Sequence, residues 1–334
     1  MKTALLGRNF LLAIVPLLVL LLSPVAWAGA SGTITLYTSE SLDQVSEMAQ
    51  DFEQLHPGVK VEIFRSGTGP VIAKLQAEME AGEIQADVIW FADIAFFDYL
   101  AREDLLLPLD IHVADLPEHF RYAGGRYHEV RQIFNVIAYN TRRWRGEPPT
   151  SWKDMLHPNI RGRIAMASPL YSGAAFSTLG TLVNIPEFGW SYFEQLQEHG
   201  VVIERSNGVL AQKLASGEYA MVSVVDFMIR NLKNQGSPVE HIWPDEGAIL
   251  IPTPVAVLKT SRNPGAATAF VEYLLSERGQ RLFVKQGYIP VRPNMGVPPG
   301  TPDLERLQIA PTDSEYIQEH REELKTTWEE RFES

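Results

Sequence analysis

The strongest constraint on the fold is an alternation of short apolar strands and amphipathic helices over residues 33–100. Thr33-Ile34-Thr35-Leu36-Tyr37 alternates as a strand, and Leu42 to His56 carries Val45, Met48, Ala49, Phe52 and Leu55 at helical spacing. Pro57-Gly58 stops that helix. Val59 to Phe64 reads as a second strand, Ser66-Gly67-Thr68-Gly69-Pro70 as a turn, and Val71 to Ala81 as a helix closed by Gly82. Asp87 to Phe91 is a third strand with a helix running from it through Leu100. The order βαβαβα predicts a mostly parallel sheet with helices on its faces, the α/β class.

An export signal precedes this unit. Lys2 and Arg8 precede an apolar run over residues 10–22, and Ala26-Trp27-Ala28 has the small-x-small form of a cleavage site. The run is shorter than the ~20 residues a membrane span needs, so residues 1–28 are expected to be removed and the mature chain to be periplasmic. Loss of Lys2 and Arg8 takes the formal charge from −12 to −14. That balance argues against nucleic acid or an anionic membrane as partner. The chain has no cysteine, which excludes disulfides, thiolate chemistry and a lipid anchor on sulfur.

The remaining 306 of the 334 residues exceed what one core usually organises, so two lobes are expected. Arg131 to Tyr139 reads as a long strand able to leave the first lobe, and residues 249–258 as a second crossing strand. Between them a new α/β series runs: a helix near Trp152 to Leu156, strand Arg163 to Ala167, loop Ser168 to Gly173, helix Ala174 to Val183. Helix Trp190 to His199, strand Val201 to Glu204, helix Val209 to Ser216 and strand Tyr219 to Val225 follow. Residues 264–286 read as a helix pair, and 314–334 as a charged amphipathic helix packed outside. Two sequence-distant crossings predict a clamshell of two discontinuous lobes, 29–133 with 253–300 and 134–252 with 301–334, joined by hinge strands.

In such sheets ligands sit beyond the carboxyl ends of the strands, where loops feed helix N-termini. The first lobe offers Tyr37-Thr38-Ser39-Glu40, Ser66 to Gly69 with Gly67 and Thr68, and Ala92-Asp93; the second offers Ser168 to Ala174 and Asp226. Ser172-Gly173-Ala174 opens a helix and is either a plain N-cap or an anion nest. Ser66 to Gly69 is either the same nest on the facing lobe or an ordinary turn. Asp93 and Asp226 each cap a helix or face the cleft, where a carboxylate would take an ammonium or sugar hydroxyls. Tyr37 and Tyr171 line the cleft or close the core edge. Arg131 pairs an anion or makes a surface salt bridge. The histidines show no metal spacing, and His112, His119 and His128 fall in a region that reads as solvated loop.

The chain resembles the periplasmic solute-binding proteins of ABC importers, specifically the ferric-iron-binding type and its relatives. The resemblance rests on ITLYTSES, DFEQLHPGVKVEIFRSGTG, ADVIWFAD, VIAYNT, SWKDML-HPNIRGRIAMASP, YSGAA, GEYAMVSVVDF and AATAFVEYLLSERGQ, in order along the mature chain. It implies a monomeric two-lobe receptor that closes on one solute and presents it to a membrane permease with its ATPase, without cofactor and without catalysis. Ferric binders of this type coordinate iron through adjacent tyrosines after the GEY-type strand. Here that place reads Val225-Asp226-Phe227, and no Tyr-Tyr pair occurs. Fe³⁺ requires several hard ligands, so the expected solute is a small anion such as a phosphonate, organophosphate or sugar phosphate, with ferric iron the alternative. A hydrolase pairing Asp93 with Asp226 lacks a Gly-x-Ser-x-Gly elbow, and a sensor role for the same clamshell stays open.

Overall fold

The computed structural model describes residues 31–111 and 115–333. The export signal expected over residues 1–28, and His112, lie outside them. The first lobe opens as its pattern requires: β1 (Gly32–Thr38), α1 (Leu42–Leu55), β2 (Val59–Arg65), α2 (Thr68–Glu80), β3 (Val88–Trp90) and α3 (Ile94–Arg102). β1 runs parallel to β2, with Gly32 opposite Val59, and parallel to β3, with Leu36 opposite Val88. α1 turns Val45, Met48, Ala49 and Phe52 into the core, the spacing that makes its other face polar.

A short hairpin, β4 (Arg121–Tyr122) and β5 (Tyr127–Glu129), adds to the far edge of that sheet. His128, expected in a solvated loop, instead lies on β5 and is fully buried; burial, with help from Arg121, lowers its pKa to about 4. After Val130 the chain runs into β6 (Arg131–Asn140), which belongs to the second sheet. That is the first crossing.

The second lobe continues with β7 (Ile164–Ala167), α4 (Gly173–Asn184), α5 (Gly189–Glu198), β8 (Val202–Glu204), α6 (Asn207–Ser216), β9 (Met221–Val225), α7 (Asp226–Asn234) and β10 (Val239–Ile242). The segment near Trp152 is a 3-10 turn over Trp152–Leu156 rather than an α-helix. The sheet order is β10-β6-β9-β7-β8, with β7 parallel to β8 and β9 and β6 antiparallel to its neighbours.

The return crossing is broken at Pro252-Thr253. β11 (Ile249–Ile251) pairs with β6 in the second sheet, while β12 (Pro254–Val257) pairs with β3 and β5 in the first. Sheet one thus reads β2-β1-β3-β12-β5-β4. α8 (Pro264–Leu275) and α9 (Glu277–Lys285) pack on the first lobe, and β13 (Ile289–Pro290) pairs with the start of β6.

The tail forms α10 (Ser314–Glu319) and α11 (Arg321–Trp328). It is more than an outer cover. Trp328 is fully buried and meets Phe193 of α5 edge-to-face at 5.7 Å, and Phe332 stacks on Trp190 at 6.3 Å.

Candidate ligand-binding site

Between the lobes lies a cavity of about 330 Å³, within the range of small-molecule sites. Five helices begin at it. From the first lobe come Ser41 before α1, and Gly67 with Thr68 at the start of α2; from the second come Ser172-Gly173 at α4, Ser206-Asn207 at α6, and Val225 with Phe227 at α7. Ser41 makes no side-chain cap bond, and Gly67 and Val225 have no polar side chain to make one, so none of the three caps takes up a first-turn N–H of α1, α2 or α7; in α2 these are the N–H groups of Thr68 and Gly69, since Pro70 has none. Ser172 caps α4 by accepting from Ala175 N at 3.2 Å, and its Oγ also accepts from Asn207 Nδ2 at 3.1 Å. That bond ties two helix starts into one wall.

The charge at the cavity is cationic. Arg65 and Arg205 stand exposed at its edge, one on each lobe. Arg65 Nε donates to the Glu40 carbonyl at 3.0 Å, and the Arg205 guanidinium lies over the Tyr171 ring at 4.4 Å. Among the described residues Glu40 is the single carboxylate lining the cavity, and it forms an ion pair with the fully buried Arg131. Burial pushes the Glu40 carboxyl up, with Arg131 pulling the other way. Ile133, Val225, Phe227 and Met228 supply an apolar side to the same space.

The lobes meet at glycines. A Cβ at Gly67 would lie 2.6 Å from the Tyr171 carbonyl oxygen, at Gly69 2.2 Å from that of Leu170, and at Gly173 1.8 Å from that of Ala92. None of the three has a positive φ, so the residue type serves close approach rather than turn geometry. Each lobe's helix start abuts backbone of the other lobe.

Of the residues expected at the site, Ser39, Ser66, Gly67, Thr68, Tyr171, Ser172, Gly173 and Ala174 line the cavity. Six do not, and each has another partner. Tyr37 donates from Oη to Glu78 at 2.8 Å, and Thr38 Oγ1 donates to the Trp90 carbonyl at 2.7 Å. Asp93 caps α3, accepting from Phe96 N at 3.1 Å, and pairs with Arg321. Arg131, besides Glu40, lies 3.9 Å over the Tyr288 ring. Ser168 accepts from Leu170 N at 3.2 Å and bonds Glu333. Asp226 points into the protein, accepting from Phe134 N at 3.0 Å and from Arg230 at 2.5 Å. Sequence reasoning missed Arg65 and the Arg205-Ser206-Asn207 turn. The signal was present: residues 205–208 sit between a strand end and a helix start, as Ser172 does.

A family described as "Bacterial extracellular solute-binding protein" matches residues 47–308. The chain belongs to that family. Among relatives of this solute-binding protein, the phosphoglycerate transport regulatory protein PgtC of Salmonella typhimurium is 31% identical over 168 residues, 49% of this chain and 42% of that one. The periplasmic binding protein AfuA from Actinobacillus pleuropneumoniae, solved with exogenous fructose-6-phosphate bound, superposes with a TM-score of 0.82 at 25% identity, covering 91% of this chain and 99% of AfuA. Iron-bound HitA from Pseudomonas aeruginosa superposes at 0.77 with 22% identity, covering 88% and 98%, which establishes the shared two-lobed fold. The family and these neighbours are binding proteins rather than enzymes. The protein is a periplasmic solute-binding protein of an ABC transporter, with a small-molecule ligand and a permease as its partners.

Proposed function

We propose that the solute is a small organic phosphate or phosphonate, held by its oxyanion between the helix starts of the two lobes. The observation that carries this reading is the convergence of five helix N-termini and two arginines on one cavity whose lining carboxylate is already paired. Open first-turn N–H groups and the helix dipoles favour negative charge, and Arg65 and Arg205 add full cations at the mouth. The apolar side formed by Ile133, Phe227 and Met228 suits a short organic body beside the anion. AfuA was solved with a sugar phosphate bound and PgtC is named for phosphoglycerate transport, and both compounds carry the same headgroup chemistry.

Ferric iron fits the lining less well. Hard trivalent iron takes several anionic ligands, and no group of three or more His, Asp or Glu side chains among the described residues is placed to hold a metal. In this reading the chain acts as a monomer exported by its N-terminal signal, with lobes of 29–133 plus 253–300 and 134–252 plus 301–334. Ligand contacts made by both lobes favour the closed form over the open one, and that difference drives capture.

Native mass spectrometry of protein purified without unfolding tests the assignment, because a clamshell that closes on its ligand retains it. A bound mass matching a phosphomonoester or phosphonate is expected; a bound iron ion instead would overturn the reading.

A further inference from the structure

Asp93, a residue expected to face the ligand, is met instead by a cation from the far end of the chain. α10 packs against α3 of the first lobe and α4 of the second at once. Ile317 fills the notch left by Gly180 on α4, where a Cβ would lie 2.6 Å from its side chain. Thr312 and Thr181 share a hydrogen bond of 3.0 Å, and Trp328 and Phe332 anchor the segment on α5. From this base on the second lobe, Arg321 lies 5.0 Å over the Phe176 ring and reaches across to Asp93. The pair is mostly dry: its side chains are 15% and 5% exposed. Asp93 directly follows Ala92, whose carbonyl is the surface on which Gly173 docks.

We propose that residues 312–333 are a strap that holds the lobes closed, with Arg321 and Asp93 as positioning residues for ligand retention rather than ligand contacts. This rests on the reading that the lobes open and close. In the closed form both charges have extra partners, Phe96 N for Asp93 and the Phe176 face for Arg321, which is the condition under which a desolvated pair holds. Removing one charge leaves the other dry and unpaired in the closed form but hydrated in the open form. The strap therefore biases the lobes toward closure before any solute arrives, and slows release afterwards.

The chain has no cysteine, so spin labels on Glu80→Cys of α2 and Gln212→Cys of α6, both exposed, report lobe separation without background. Distances are measured on ligand-free protein refolded from denaturant. In Asp93→Asn the asparagine still caps α3, so loss of charge is separated from loss of the helix start. Arg321→Gln and Asp93→Asn are each expected to lower the closed-to-open ratio about tenfold. The double variant should move no further than the stronger single one. Arg281→Gln, which removes the exposed Arg281–Glu277 pair within α9 of the first lobe, should leave the distances unchanged. Unchanged distances in both Arg321→Gln and Asp93→Asn, or an equal shift in Arg281→Gln, would overturn the strap. Because no solute is used, this result stands apart from the identity of the ligand.

Discussion

The wall of the cavity and the layer directly beneath it are built from opposite chemistry. The wall is mostly small and neutral, with Ser39, Ser66, Thr68, Ser172, Asn207 and glycines set at helix starts. Beneath it the groups are ionisable and dry: Arg131, paired with the cavity-lining Glu40, Asp226 with Arg230, and Glu129 buried against Thr253. The contrast shows where formal charge is useful in a hinged receptor. The Arg131–Glu40 pair ties the crossing strand β6 to the loop before α1, and Asp226, paired with Arg230 within α7, accepts from Phe134 N of β6, while the cavity surface presents mostly uncharged groups. Among the lining residues the side-chain cations are Arg65 and Arg205, exposed at the rim, where in the proposed reading they draw an anion inward.

Substitutions in the lower layer should therefore act on stability and those in the wall on binding. The largest effect is expected from Asp226→Ala, which strands the buried Arg230 and should lower unfolding stability by about 3–5 kcal/mol in a urea titration. A loss below about 1 kcal/mol would mean the pair is not a structural element. Gly173→Ala comes next. Its Cβ cannot coexist with the Ala92 carbonyl at 1.8 Å, so closure should be penalised by about 1–3 kcal/mol and solute affinity fall roughly 5- to 150-fold, with unfolding stability nearly kept. Unaltered affinity would show that capture does not use this contact.

The buried neighbours His128 and Glu129 give a pH signature. Burial raises the Glu129 carboxyl from 4.5 to about 8, so between those values the folded chain holds a proton the unfolded chain has lost, and stability falls as pH rises. For His128, lowered from 6.5 to about 4, the unfolded chain binds the extra proton in between and stability rises with pH. Their contributions oppose each other between pH 4.5 and 6.5 and leave Glu129 alone from 6.5 to 8. Glu129→Gln should remove the decline over that upper window, as read from denaturation midpoints; an unchanged slope would assign the decline to other groups.

At the rim, Arg65→Gln and Arg205→Gln should each slow association several-fold and flatten its dependence on ionic strength in stopped-flow traces. Equal salt dependence with and without these arginines would remove steering from their role. The smallest effect is expected from Tyr37→Phe. It deletes the bond to Glu78, about 1 kcal/mol of stability, and should leave solute affinity where it was in the same titrations.

The alternation of strands and helices made the fold legible, because periods of two and 3.6 report on burial directly. Both crossings were legible too, as long apolar runs far apart in sequence. Side-chain destination was not. Asp93, Asp226 and Arg131 stand where cleft residues stand, and nothing local reveals that Arg321 occupies Asp93 and Glu40 occupies Arg131, since both partners are distant in sequence. Asp226 is the instructive case: Arg230 is only four residues on, a helical spacing, so an internal pair could have been weighed from the sequence. Small residues between a strand end and a helix start are what line the cavity, and the same position in the fold holds residues 205–208, where the second arginine stands.

The account is tested most directly by calorimetric titration of ligand-free protein with fructose-6-phosphate and other short phosphomonoesters, each beside its dephosphorylated parent and beside Fe³⁺. Binding of at least one phosphomonoester, with no heat from its parent, is the predicted result. Binding of Fe³⁺ with no response to any phosphomonoester or phosphonate would contradict the claim that this cavity captures an oxyanion.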